Sequence, residues 1–100
     1  MIFLIDLDGT LCSKGHEGKY QLAKPNHNAI AKVNELHEAG NTVIIWTARA
    51  TVCDNDNIEA FTIRQLADWG VQYDEIDFDK REFDFVVDDK AICSTDWSPS

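Results

Sequence analysis

Apolar residues in this chain come in short continuous runs separated by longer amphipathic stretches. Residues 2–5 (Ile-Phe-Leu-Ile) and 42–46 (Thr-Val-Ile-Ile-Trp) show no polar alternation, the pattern of strands buried on both faces of a parallel sheet. Phe85-Val86-Val87 reads the same way. Residues 73–78 alternate, with Tyr73, Ile76 and Phe78 among acids, and predict a shorter edge strand. Two helices are predicted between these runs. The first spans about Asn26 to Ala39, with Pro25 or Asn26 at its start, Gly40 at its C′ position, and Ile30, Val33 and Leu36 as its apolar stripe. The second spans about Asn57 to Trp69. Asp56 and Glu59 form a capping-box-like start, Gly70 is the stop, and Phe61, Leu66 and Trp69 face the core. Strand, helix, strand, helix, strand and strand in that order predict an open α/β sheet with right-handed crossovers.

Residues 11–24 break the pattern. Two glycines and mixed polarity there predict a turn or small flap, and residues 94–100 read as a frayed tail on which Trp97 is the one docking candidate. A chain of 100 residues has room for one domain, residues 1–100, and for neither a second core nor a lid domain. No apolar run approaches the ~20 residues of a membrane span. Cys12, Cys53 and Cys93 are an odd count without metal-type spacing and read as reduced thiols of a cytoplasmic protein.

Charge changes the picture. The net charge is −9, and residues 51–100 carry thirteen acids against four bases while residues 1–50 carry five of each. An extended basic groove for nucleic acid is therefore not expected. The acids are instead candidates to hold a divalent cation. Three predicted strands end in reactive groups: Asp6-Leu7-Asp8-Gly9-Thr10, then Thr47-Ala48-Arg49, then Asp88-Asp89. In a parallel sheet these ends share one edge, where α/β folds build their sites. Crowded carboxylates repel one another, and hard oxygen donors with room for water and phosphate suit Mg²⁺. An EF-hand is excluded for Asp6 and Asp8 because the third ligand before the glycine and the terminal Glu are missing. Asp54-Asn55-Asp56-Asn57 likewise lacks the glycine and acid of a calcium loop and reads as a helix-capping loop. His16, His27 and His37 have no ligand spacing and read as surface residues. Cys12 has no partner base for nucleophilic chemistry and is at most a spot for oxidation.

Asp6-Leu7-Asp8-Gly9-Thr10-Leu11, Thr47 after an apolar strand, a downstream lysine and Asp88-Asp89 after another strand together resemble the four motifs of the haloacid dehalogenase-like (HAD) superfamily, over roughly residues 1–92. The second aspartate and the Gly-Thr pair resemble its phosphatase branch, including small capsular-biosynthesis-type phosphatases and polynucleotide phosphatase domains. The resemblance implies an open three-layer Rossmann-like sandwich with a mostly parallel sheet and no cap domain. It implies a Mg²⁺-dependent phosphomonoesterase, with Asp6 as the nucleophile that becomes an aspartyl phosphate and Asp8 as general acid and base. Lys80 would neutralise the phosphate and orient Asp6, with Arg81 and Lys90 as rivals for that role. Thr47, Gly9 and Thr10 would bind phosphate. Asp6, Asp8 through its backbone carbonyl, and Asp88 or Asp89 would hold the metal, Asp89 being the favoured direct ligand. Arg49 is either a substrate contact or a surface salt bridge. The expected partner is a phosphorylated small molecule or the phosphorylated end of a macromolecule, with no membrane; a homo-oligomer is compatible. Two alternatives remain: a non-catalytic phosphate- or metal-binding module serving a partner protein, and a nucleic-acid 3′-end phosphatase. The chain carries no Gly-Lys-Ser/Thr phosphate loop and is not the kinase of such a pair.

Overall fold

Strand β1 (Ile2–Asp6) pairs in parallel with β2 (Thr42–Trp46), Ile2 opposite Thr42 and Asp6 opposite Trp46. β2 pairs in parallel with β3 (Glu75–Asp77), so the sheet order is β1-β2-β3. This register brings the C-terminal ends of all three strands to one edge. The computed structural model describes residues 1–14, 19–52 and 57–97, with Thr51 and Val52 as backbone only.

Parallel neighbours need a crossover, and helices supply it. α1 (His27–Glu38) joins β1 to β2. Asn26 caps it, its Oδ1 accepting the Ala29 N–H at 3.2 Å. Gly40, at φ +93°, ends it: the Gly40 N–H donates to the His37 carbonyl and the Asn41 N–H to the Leu36 carbonyl, both at 3.1 Å. These paired bonds form a Schellman motif and satisfy carbonyls that the helix leaves unpaired. A short helix, α2 (Arg49–Val52), follows β2, and α3 (Ile58–Asp68) then leads to β3. Asn57 takes the N-cap position of α3. The expected start at Asp56 lies outside the described residues.

The core is where the apolar runs meet the helix stripes. Val43 and Ile45 of β2, Val33 of α1 and Leu66 of α3 have no exposed surface, and Ile30 has 4%. Leu7 and Leu11, which flank the Asp8-Gly9-Thr10 turn, are also fully buried. At roughly 1.5–3 kcal/mol for each buried aliphatic side chain, they anchor that turn to the core. Asn34 of α1 ties in the α3–β3 connection, donating to the Gly70 carbonyl at 2.9 Å and accepting the Gln72 N–H at 2.8 Å.

Two expectations are corrected. Phe85-Val86-Val87 is not a strand: Phe85 and Val87 are 89% and 99% exposed, and among the described residues β1 pairs with β2 alone. A three-residue apolar run carries no periodicity of its own, and without ladder bonds it forms no strand. Part of the expected tail, residues 94–97, is helical. Ser94–Trp97 forms a last helical turn, α4, and Trp97 packs partly buried against the core. Among the described residues no helix is long and apolar enough to cross a membrane.

Candidate active site

β1 runs directly into the turn that carries the paired aspartates. The Leu7 N–H extends the sheet by donating to the Trp46 carbonyl at 3.2 Å, and the Thr10 and Leu11 N–H groups then turn back to the Leu7 carbonyl at 3.2 and 2.9 Å. Gly9 makes the reversal at φ +89°, a backbone region that costs an L side chain about 1–2 kcal/mol. Leu7 points into the core, and Asp6 and Asp8 on either side of it meet separate partners.

Asp6 sits at the open edge, its side chain 37% exposed. Lys80 Nζ lies 2.6 Å from Asp6 Oδ1, and the Thr10 hydroxyl donates to Oδ2 at 3.5 Å. Lys80 arrives from the loop after β3 and is held between two rings, 5.0 Å from the centre of Trp46 and 5.1 Å from that of Phe83. Those rings themselves lie 6.4 Å apart. Aromatic faces attract a cation electrostatically, so Trp46 and Phe83 guide the ammonium group toward Asp6. Lys80, rather than Arg81 or Lys90, is thus the base that reaches Asp6.

Asp8 faces inward and is clamped. Arg49 Nε donates to Asp8 Oδ2 at 2.9 Å and Nη2 to Oδ1 at 2.8 Å, a bidentate pair. Arg49 is 1% exposed, so it is neither a surface salt bridge nor an open substrate contact. Its Nη1 donates to Gln65 Oε1 at 2.7 Å and to Thr62 Oγ1 at 3.2 Å, both on α3. Its Cζ stands 4.5 Å from the centre of the Tyr20 ring, in the 3₁₀ turn Tyr20–Leu22. Thr47 is also buried, and its Oγ1 accepts the Arg49 N–H at 3.1 Å, which fixes the start of α2. Cys12 lies beneath this network, 3% exposed. Burial, followed by the nearby Asp8 charge, pushes its thiol up to about 12. A buried thiol that stays protonated is a poor nucleophile, which argues against the oxidation that the sequence left open at Cys12.

The remaining predicted residues separate. The Gly9 N–H is bonded to the Cys12 carbonyl at 2.8 Å and the Thr10 N–H to Leu7, so Gly9 shapes the turn and Thr10 offers its hydroxyl rather than its amide. Asp88 lines the same cleft of about 980 Å³ as Asp6, Thr10 and Lys80; Asp89 does not line it. Asp88 also accepts the Lys90 N–H at 2.7 Å. Among the described residues no three acids, histidines or cysteines gather into a metal cluster, so the expected convergence of four carboxylates is absent from this arrangement. The cause is the missing strand: with residues 85–87 unpaired, no ladder carries the Asp88-Asp89 pair to the sheet edge. His37 forms a surface pair with Asp74 at 3.5 Å, in keeping with its expected surface role, and His16 lies outside the described residues.

Sequence reasoning missed Tyr20, Thr62, Gln65, Trp46 and Phe83. Only the spacing of Thr62 and Gln65, three residues apart on one helix face, was a readable signal for any of them.

Residues 1–93 match the family model described as the polynucleotide kinase PNKP phosphatase domain. The chain belongs to this family of HAD phosphatase domains. No curated protein matches the chain. Among solved structures, the phosphatase domain is similar to the crystal structure of a target protein from Vibrio cholerae, at 25% identity and a TM-score of 0.77, over 95% of this chain and 85% of that one. The α/β architecture with a parallel sheet agrees with that neighbour.

Proposed function

We propose that this phosphatase domain is a phosphomonoesterase that works through an aspartyl phosphate on Asp6. The observation that supports this most is the 2.6 Å contact between Lys80 Nζ and Asp6 Oδ1 at the open end of β1. A nucleophilic carboxylate attacking a phosphate dianion faces charge repulsion, and a cation held at its side offsets it. In the first step Asp6 attacks phosphorus, the ester P–O bond breaks, and the departing oxygen takes a proton from Asp8. In the second step Asp8 takes a proton from water, whose oxygen attacks the phosphorus, releases inorganic phosphate and restores Asp6. Arg49 bonds both Asp8 oxygens, which fixes the orientation of the carboxyl group.

The donors fit Mg²⁺, which is commonly held by one or two carboxylates and keeps several waters. Asp6 and Asp88 line one cleft and, with the Asp8 carbonyl, would be its hard oxygen ligands. When bound, the ion would supply further neutralisation of charge between carboxylate and phosphate.

The family match favours a terminal phosphate on a polynucleotide as the substrate. A net charge of −9 confines recognition to the chain end, because an extended acidic face repels a phosphate backbone. The test is phosphate release from an aryl phosphate and from 3′-phosphorylated oligonucleotides, with Mg²⁺ and with chelator. Wild-type turnover that vanishes in Asp6→Asn and with chelator is expected. Near-normal turnover in Asp6→Asn would sink the assignment.

A further inference from the structure

Gln65 has a side chain with two ends, and each end has a different partner. Its Oε1 accepts from Arg49 Nη1 at 2.7 Å, and its Nε2 donates to the Tyr20 carbonyl at 3.0 Å. Only one amide orientation satisfies both contacts, since a guanidinium is purely a donor and a carbonyl purely an acceptor. Tyr20 touches the same arginine a second time, its ring 4.5 Å from Arg49 Cζ. The 3₁₀ turn Tyr20–Leu22 therefore meets Arg49 in two ways, through a ring face and through Gln65. Arg49 in turn holds both oxygens of Asp8.

We propose that Gln65 and Tyr20 are positioning residues that couple the seating of the Tyr20–Leu22 turn to the orientation of Asp8, and so to protonation of the leaving group. This rests on the reading of Asp8 as general acid. Neither residue touches the reacting atoms; both act through Arg49. Losing the Gln65 amide frees Arg49 Nη1 from one partner and the turn from its tether. Losing the Tyr20 ring removes the face against which the guanidinium lies. Either change lets the guanidinium tilt, and Asp8 tilts with it. Small misplacement of a proton donor is costly, since a shift of about 1 Å in a catalytic group can lower turnover by about 10²-fold.

The discriminating readout is dependence on the leaving group. Dinitrophenolate departs without a proton, whereas phenolate needs one. The chain and its Gln65→Met, Tyr20→Ala and Asp8→Asn variants are compared on phenyl phosphate and on 2,4-dinitrophenyl phosphate, with folding followed by circular dichroism. Gln65→Met and Tyr20→Ala are expected to lose about tenfold or more in kcat/KM, which ends at departure of the leaving group, on phenyl phosphate and less than about threefold on the dinitrophenyl ester. Asp8→Asn should show the same asymmetry, only larger. Tyr20→Phe, which keeps the ring, should recover most of what Tyr20→Ala loses. In the double variant the losses on phenyl phosphate should be less than multiplicative, because both act through one arginine. Equal losses on both esters in folded variants would overturn the coupling while leaving the phosphatase reading intact. A wild type that hydrolyses neither ester would overturn both. If Gln65→Met does not fold, Tyr20→Ala tests the same coupling from the other end.

Discussion

Replacing Arg49 with methionine removes the guanidinium but keeps most of the aliphatic volume, so the change isolates its polar contacts. The arginine side chain is wholly buried and that of its partner Asp8 is 21% exposed. Deleting one member of a buried ion pair costs about 3–5 kcal/mol, because the other charge is left without its partner. Partial exposure lets water reach Asp8, which places the cost near the lower bound. Gln65 Oε1 also loses its donor, adding about 1 kcal/mol, whereas the Thr62 hydroxyl can rotate to another partner. The sum is about 4 kcal/mol, a large fraction of the roughly 5–15 kcal/mol that holds a domain of this size together. The melting temperature should fall by roughly 16–32 °C, at ~4–8 °C per kcal/mol. Urea unfolding followed by tryptophan fluorescence measures the loss directly, at constant m. Asp8→Asn, made in both backgrounds, then isolates the pair. Their coupling should be about 1.5–3 kcal/mol, the range of charge-assisted hydrogen bonds. A loss below about 1 kcal/mol with unchanged m, or a coupling within about 0.5 kcal/mol of zero, would refute the clamp.

Three further outcomes test the turn and the thiol beside it. Gly9→Ala should cost about 1–2 kcal/mol in urea melts through its positive φ, while the new Cβ, 3.2 Å from Lys14 Cε, only displaces a flexible chain end; a loss under about 0.5 kcal/mol would contradict this. Iodoacetamide with peptide mapping should label exposed Cys93, whose bond to Thr95 lowers its pKa, and spare Cys12 until the chain unfolds. The unfolded Cys12 thiol loses its proton near 9.0 and the folded one near about 12, so ionisation drives unfolding as pH rises through that window. Cys12→Ala should flatten this alkaline loss of stability, and an unchanged slope would contradict the assignment.

What could be read from the sequence was what local pattern determines. The runs at residues 2–5 and 42–46 are legible as strands because continuous apolar segments of that length suit a parallel sheet, but the expected burial on both faces fails in β1, where Ile2 and Leu4 are 73% and 52% exposed. Asn26 and Gly40 delimit α1 through bonds reaching at most five residues along the chain. Lys80 was legible for a different reason: family resemblance places a lysine before the last motif, and the fold brings that lysine to Asp6 across 74 residues. Arg49 was ambiguous because its role depends on partners 41 and 16 positions away, Asp8 and Gln65, which only packing brings together. Phe85-Val86-Val87 misled because strand formation depends on a partner edge, a property that a three-residue run does not carry.

The two halves of the site are built for different demands. Asp8 sits in a largely buried polar network whose members belong to the turn after β1, to α2 and to α3. Geometry there is over-determined, which suits a group that must aim a proton. Asp6 sits at the mouth, where a substrate must reach it. Its cation is guided by Trp46 and Phe83, which carry no carboxylate to compete with Asp6 for the ammonium. Orientation at the mouth therefore comes from ring faces, and access is kept. Substitutions at the inner half should appear first as lost stability, with turnover falling as Asp8 loses its aim. Those at Lys80, Trp46 or Phe83 should appear first as lost turnover, because Asp6, the group they serve, is 37% exposed and water can solvate it once the contact is lost.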